Sequence, residues 1–390
     1  MIKCTVGVMA YNEEHNIVQV LHALLDQRLD LCDMQEIIVV ASGCTDRTVE
    51  LARQVAQTNP RIAIDIQPQR LGKAGAINRL ISIAHGEVIV LVGADTLPDP
   101  TALDHLVKPF EDPTVGMTGA RVVPLNDPRT FLGFTVQLLW QVHHLMALRW
   151  PKLGELVAFR KVIAELPLDS ATDEVTLEAL IGALGYRLVY VPEAIVYNRG
   201  PETLGDFMNQ RRRIFAGHLH IAAIYKYVAA SVPLMHVGIL TLKVIRLFPG
   251  MLLWIAGAVL LECWARLLGS LDAALGRSHH IWKPIPSTKQ IRLNQRMFAL
   301  IAFQYSANRI RPDCLMRITR RLPSSQGVLF WWDYERREVM FMVPASQPRL
   351  AESAGELAAY ITRDPQFAGS AVLSFRVVQF AAPSGPWSVA

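Results

Sequence analysis

Cysteine is scarce in these 390 residues: Cys4, Cys32, Cys44, Cys263 and Cys314 are the full set, and no two form a Cys-x-x-Cys pair. No His/Cys spacing matches a zinc centre, so neither a structural zinc site nor a disulfide framework organises this chain. Reduced thiols, buried or half-buried, fit a reducing compartment. Charge is thin as well, 19% of residues against 51% hydrophobic. There is no internal repeat and no low-complexity tract. The N-terminus lacks the pattern of a cleaved signal, because Met1-Ile2-Lys3 runs directly into the short apolar stretch 4–8, which reads as a first buried strand. The expectation is an N-terminal domain on the cytoplasmic side. The net charge is +5, yet no aromatic-interleaved basic platform and no base-reading helix accompany it, which sets nucleic acid aside.

What is present is unevenly distributed. From residue 1 to about 120, short apolar runs (5–9, 36–40, 62–66, 87–92) alternate with helical patterns (17–25, 48–56, 74–84). Buried strands alternating with amphipathic helices predict an α/β fold, a parallel or mixed sheet with helices on both faces. In such sheets ligands bind beyond the carboxyl ends of the strands, so the polar clusters that follow each strand are where chemistry is expected. Residues 120–215 lose the rhythm but retain strand patterns at 118–124 and 187–191 and helical ones at 131–148 and 177–184. His143 and His144 fall among Leu138, Leu139, Trp140 and Leu145 on the first of these helices, where packing or an interface role is expected.

The hydrophobic excess is concentrated between 228 and 275. Residues 228–242 are mostly apolar and Lys243 and Arg246 follow; His236, Lys243 and Arg246 fall on one helical face, the pattern of a helix lying in a membrane interface. Residues 247–261 carry no charged side chain before Glu262 and suit an inserted helix, though a buried helix of a soluble protein reads the same way at this length. The resulting division is an N-terminal α/β domain at 1–220, membrane-associated helices at 221–275, a Pro-containing linker at 276–289, and a small C-terminal α/β or α+β domain at 290–390. In that last domain strands are expected at 328–332 and 339–343 around Glu335-Arg336-Arg337-Glu338, with a helix at 357–361 and a last strand at 371–380.

Five polar clusters fall in order after the strands: Ala10-Tyr11-Asn12-Glu13-Glu14; Ala41-Ser42-Gly43-Cys44-Thr45-Asp46; Arg70-Leu71-Gly72-Lys73-Ala74-Gly75-Ala76-Ile77-Asn78; Val92-Gly93-Ala94-Asp95-Thr96; and Ala171-Thr172-Asp173-Glu174. Taken singly they also read as turns and helix caps, Asp46 and Asp173 in particular. In series they resemble the family 2 glycosyltransferases, inverting enzymes with the nucleotide-sugar-binding GT-A fold, over roughly residues 3–215. Where that family has Asp-Asp-Gly-Ser-Thr-Asp, this chain has Ala41 and Ser42 in place of the leading aspartates. Gly93 replaces the first aspartate of the family's Asp-x-Asp metal signature.

The resemblance implies a donor site formed by Tyr11, Asn12, Glu13, Ser42, Arg70, Lys73, Asn78 and Asp95. It implies Asp95 as ligand of Mg²⁺ or Mn²⁺, a hard cation that takes carboxylate and phosphate oxygens. It also implies Asp173 as the general base that deprotonates the acceptor hydroxyl. Glu155, in the stretch 154–160, lies where the family forms its acceptor wall. Gln210-Arg211-Arg212-Arg213-Ile214 resembles the family's QxxRW motif with Ile214 in place of tryptophan, so Gln210, Arg211 and Arg213 fall to the acceptor and diphosphate; a basic helix face meeting lipid heads is the other reading of that cluster. The implied partners are a nucleoside diphosphate sugar, a UDP-sugar ahead of a GDP-sugar, together with a membrane and a lipid or glycan acceptor. A homo-oligomer or a polysaccharide synthase complex is a further implied association, and an inactive nucleotide-sugar-binding scaffold is the alternative. The C-terminal segment faintly resembles a degenerate GGDEF module without its signature, which implies a regulatory role.

Overall fold

A computed structural model describes residues 1–127, 129–170, 172–247 and 251–277, together with the strands at 297–305, 328–333, 338–345 and 372–379. The first ninety residues fold as the alternation predicts: β1 (Ile2–Ala10), α1 (Ile17–Leu25), β2 (Cys32–Ser42), α2 (Thr48–Thr58), β3 (Ile62–Gln67), α3 (Gly72–Ile83) and β4 (Val88–Gly93). Then follow β5 (Thr96–Pro98), α4 (Ala102–Val107), β6 (Val115–Pro124), α5 (Phe131–Ala147), β7 (Leu156–Arg160), α6 (Asp173–Ala183), β8 (Arg187–Asn198) and α7 (Leu204–Tyr225). The sheet order is β3-β2-β1-β4-β7-β6-β8-β5. Its first four strands are parallel, and antiparallel β7 joins them to the parallel pair β6 and β8. The fold is therefore the mixed sheet expected. The short strands β5 and β7 were not legible as strands, because three and five residues give too little alternation to separate them from loop.

Period-2 alternation divides the core between the two faces of the sheet. Val6, Val8, Val88, Val90 and Val92 point to the side covered by α1, α2 and α4, whereas Met9, Ile89 and Leu91 point to the side covered by α3 and α6. Burying both faces fixes the register, and the register decides which loops meet. Met9 lies opposite Val40 and Gly93, and Leu156 opposite Val92. Tyr11, Ser42, Asp95 and Glu155 therefore leave the sheet at one common edge.

Two more helices follow, α8 (Leu234–Leu247) and α9 (Leu252–Ala274). Thr203 caps α7 by accepting from the Asp206 amide, and α9 packs along α7. The buried positions of α9 are Ile255, Ala258, Glu262, Ala265, Gly269 and Asp272, spaced three and four apart as on one face of a helix. A β-carbon at Gly269 would stand 2.7 Å from the Arg212 carbonyl oxygen, so glycine is what lets the two backbones come this close. Glu262 accepts a two-pronged pair from Arg211 at 2.8 Å and a further bond from Arg266 at 2.8 Å, and Asp272 pairs with Arg212 and Arg277. Among the described residues α9 is the one helix long and apolar enough to cross a membrane, and only a third of its most apolar window is buried. His236 on α8 stacks its ring on Trp150 at 3.9 Å, so that member of the expected interfacial face packs against protein instead; the Lys243 and Arg246 side chains lie outside the described residues.

Beyond residue 296 the described strands β9 (Met297–Tyr305), β10 (Val328–Asp333), β11 (Glu338–Ala345) and β12 (Val372–Gln379) form an antiparallel sheet in the order β10-β11-β9-β12. The strands expected at 328–332, 339–343 and 371–380 are present, and β9 is additional. Residues 335–337 of the charged turn and the expected helix at 357–361 lie outside the described residues.

Candidate active site

A cavity of about 360 Å³ opens at the sheet edge where those loops converge. Its wall includes Tyr11, Glu13, Ser42, Arg70, Lys73, Asp95, Glu155, Asp173, Gln210, Arg211 and Arg213. Eleven positions singled out in the sequence thus meet in one space, although they span two hundred residues of chain. Asn12 and Asn78 are not on that wall. The Asn12 side chain bonds Thr45 and ties the first two loops together, and Asn78 clamps the backbone of Leu166 with bonds of 2.8 and 2.6 Å. Asp46 binds the Thr48 amide at 3.0 Å and the Glu14 amide at 3.1 Å, so its carboxylate holds the start of α2.

At the outer end the Arg70 guanidinium lies over the Tyr11 ring, 3.9 Å from its centroid, a stacked pair at the strand ends. The Ser42 Oγ is buried there with no hydrogen-bond partner. Deeper in, Asp95 and Glu155 approach across the β4–β7 pair. Burial, reinforced by the Asp95 charge, pushes the Glu155 carboxyl up to about 7. Glu155 also sits at φ 60, a left-handed conformation that costs a residue with a β-carbon energy and that structures retain most often at functional positions. A β-carbon on Gly93 would come within 2.7 Å of Asp95 Oδ1, so the small residue that replaces the family's first aspartate leaves room for the second.

The start of α6 supplies the opposite wall. Thr172 occupies its N-cap position but makes no side-chain capping bond, and Asp173 Oδ1 is buried without a hydrogen-bond partner. Thr172 therefore does not cap α6, while Asp173 and Glu174 each take their own backbone amide at its start. Burial, with the Glu174 charge beside it, raises the Asp173 carboxyl to about 6 against the opposing pull of Lys73 and Arg213. Burial acts to raise Glu174 too, but its ion pair with Lys73 outweighs that and holds it below the ordinary carboxylate range. Two adjacent carboxyl groups are thereby driven apart in acidity, which is how a site obtains an acid and a base from like residues.

Several wall residues carried no functional signal in the sequence. Lys152, His143 and His218 line the inner end together with Arg266 and Glu262 of α9. The packing role expected of the histidine pair holds for His144, which is buried and bonds the Tyr190 hydroxyl at 2.8 Å, while His143 faces the cavity. Adjacent helical residues differ in direction by about 100°, so one packs while its neighbour lines the wall. Among the described residues no group of three His, Cys, Asp or Glu side chains is placed to hold a metal.

Sequence comparison agrees with this geometry. The profile described as Glycosyl transferase family 2 matches residues 5–156, and that of Glycosyl transferase family group 2 matches residues 88–269. With overlapping matches that together run from residue 5 to residue 269, the chain belongs to glycosyltransferase family 2. It is similar to a poly-β-1,6-N-acetyl-D-glucosamine synthase of Staphylococcus aureus, 27% identical over 218 residues that make up 52% of this chain and 51% of the synthase. A probable glycosyltransferase of Bacillus subtilis, YdaM, is 27% identical over 243 residues, 58% of this chain and 57% of that protein. The chain thus spans about half the length of the curated relatives it matches. A mannosyltransferase from Pyrobaculum calidifontis, solved with GDP-Man and Mn²⁺, is 27% identical with a TM-score of 0.46, covering 72% of this chain and 81% of that one.

Proposed function

We propose that this chain is an inverting glycosyltransferase that moves a sugar from a nucleoside diphosphate donor to a hydroxyl acceptor presented at a membrane. The observation that carries the reading is the Asp173 carboxyl, buried in the cavity with an uncommitted oxygen and an acidity near 6. In the reaction the acceptor oxygen bonds the anomeric carbon as the bond from that carbon to the diphosphate breaks. The electron pair leaves with the diphosphate, and the acceptor proton passes to Asp173. Tyr11, Ser42 and Arg70 suit the nucleoside end of the donor, a UDP-sugar ahead of a GDP-sugar. Lys73 and Arg213 suit its phosphates.

The residues present fit a Mg²⁺ or Mn²⁺ ion. Asp95 and Glu155 are two carboxyl groups near enough to repel, and Mg²⁺ is held by one or two carboxylates with the remainder supplied by substrate phosphates and water. When bound, the ion offsets charge on the departing diphosphate. Asp95 and Glu155 would hold it, and Glu174 keeps Lys73 oriented.

The membrane part of the reading is supported by α9. Its acids face inward, Glu262 7% and Asp272 0% exposed, whereas Leu253 is 85% and Leu260 70% exposed, with Trp264, Leu267 and Leu271 on the same outer side. A helix with charges inside and leucines outside reverses the order of a water-facing helix, and an apolar surface of this kind marks an interaction site. The two ion-paired acids hold α9 against α7, which favours a helix lying along the bilayer surface over one crossing it. We place the division between catalytic and membrane-associated parts inside this helical layer, and read the sheet beyond residue 296 as an appended regulatory or assembly module.

The pH dependence tests the chemical core. Asp173 must be ionised to accept a proton, so the transfer rate at saturating donor and metal should fall as pH drops through about 6. A rate that is flat between about pH 5 and pH 8 would rule out a base of this acidity.

A further inference from the structure

Past Asp173 the cavity continues inward between α5, α7, α8 and α9, and its character changes. Lys152, Arg211 and Arg266 converge there with His143 and His218, while Leu139, Trp140, Val142 and Met146 of α5 and Val237 of α8 supply apolar wall. Three acids face these cations: Glu262, Glu178 and, from the start of α6, Glu174. Glu262 is shared between Arg211 and Arg266, and Glu178 is the carboxyl nearest Lys152 in effect. Glu178 already accepts from the Leu153 amide at 2.6 Å and the Tyr227 hydroxyl at 2.9 Å. Arg266 uses its Nε on Glu262, and its Nη1 is buried without a hydrogen-bond partner. A buried guanidinium N–H left unsatisfied costs free energy that an incoming acceptor atom would recover.

We infer that this inner end is the subsite for the acceptor's anchor and that it binds a phosphate-type anion carried on an apolar chain, while the hydroxyl that attacks belongs to the same molecule and faces Asp173. The inference rests on the glycosyl-transfer reading above and adds the chemical class of the acceptor. Three cations line this part of the cavity, one of them holds an unused donor, and the walls beside them are aliphatic and aromatic. A neutral glycan alone would bring no charge to Lys152 and the spare Arg266 N–H, whereas a phosphate head would accept from both and its chain would lie along α5 and α8. The electrostatics agree: burial, with Arg211 and Arg266 beside it, depresses Lys152 against the pull of Glu178 and Glu174, and burial together with Lys152 and Arg211 keeps His143 and His218 neutral. An anion would relieve that crowding.

Binding to the full chain, with the nucleotide donor's product diphosphate present to fill the outer end, separates the possibilities. The probes are dodecyl phosphate, dodecanol and inorganic phosphate, each below the concentration at which it aggregates. Dodecyl phosphate should bind at least about tenfold more tightly than either dodecanol or inorganic phosphate, since a charge-assisted bond and apolar burial each contribute about 1.4 kcal/mol or more. Lys152→Gln should weaken dodecyl phosphate about tenfold and leave UDP or GDP affinity unchanged, and Lys152→Arg should restore it. Equal affinity for dodecanol would overturn the anion site, and inorganic phosphate binding as tightly as dodecyl phosphate would overturn the apolar chain. If Lys152→Gln instead weakens the nucleotide, the inner cations belong to the donor and the inference fails while the transferase reading survives. Failure of any nucleotide to bind would count against the transferase reading itself. The wild-type comparison stands even if the variants do not fold.

Discussion

Asp173→Asn is expected to lower glycosyl transfer by about 10²–10⁴-fold while leaving donor affinity within about twofold. The amide is close to the carboxylate in size, so the packing at the start of α6 survives, and what disappears is a group able to take the acceptor proton. The structure makes the test clean because Asp173 Oδ1 has no bond to lose and Thr172 is not relying on it for a cap. Donor consumption and acceptor glycosylation should be followed together. A variant that transfers at the wild-type rate would mean that another group accepts the proton, and a variant that loses donor binding would mean that Asp173 belongs to the donor end.

The second large effect concerns stability. Lys73 and Glu174 form an ion pair whose side chains are 28% and 20% exposed. Removing one partner of a buried pair strands the other, so Lys73→Met should cost toward the lower end of about 3–5 kcal/mol, because both groups retain some contact with solvent. Its pH dependence has a definite sign. Lys73 holds Glu174 below its ordinary acidity, so the stabilisation is present above the unfolded carboxylate value of about 4.5 and is lost as pH falls through the lowered folded value. The gap between wild type and variant in denaturant midpoint should be largest near neutrality and should close in acid. In any folded variant the pH at which transfer switches on should rise, since Lys73 also lowers the Asp173 carboxyl. A gap that does not vary with pH would show that the pair is not ionic in the folded protein.

Much of this site was legible before any coordinates because parallel sheets bring successive strand ends to one edge. That rule pointed to the loops that carry Tyr11, Ser42, Lys73 and Asp95, and the in-series resemblance picked out those residues together with Glu155, Asp173 and Arg213. It did not separate wall residues from braces: Asn12, in the loop after β1, and Asn78, on α3, have the residue type of ligand contacts, yet both spend their amides on neighbouring chain. The inner end was invisible for another reason. Lys152, His143, His218 and Arg266 come from a loop and three different helices, so no local spacing links them, and only packing α9 on α7 brings them to one wall. The same packing reverses the sense of α9, whose composition alone reads as an inserted helix but whose Glu262 and Asp272 face protein.

The central claim is that donor and cation meet at Asp95 on the edge of the sheet. Its most direct measurement is nucleotide-sugar binding by calorimetry, with and without Mg²⁺ or Mn²⁺, for the wild type and for Asp95→Asn. At least one UDP- or GDP-sugar should bind the wild type in a metal-dependent manner, and Asp95→Asn should lose most of that dependence. Metal-dependent binding of undiminished strength in Asp95→Asn, or no nucleotide sugar bound with either metal, would contradict the account.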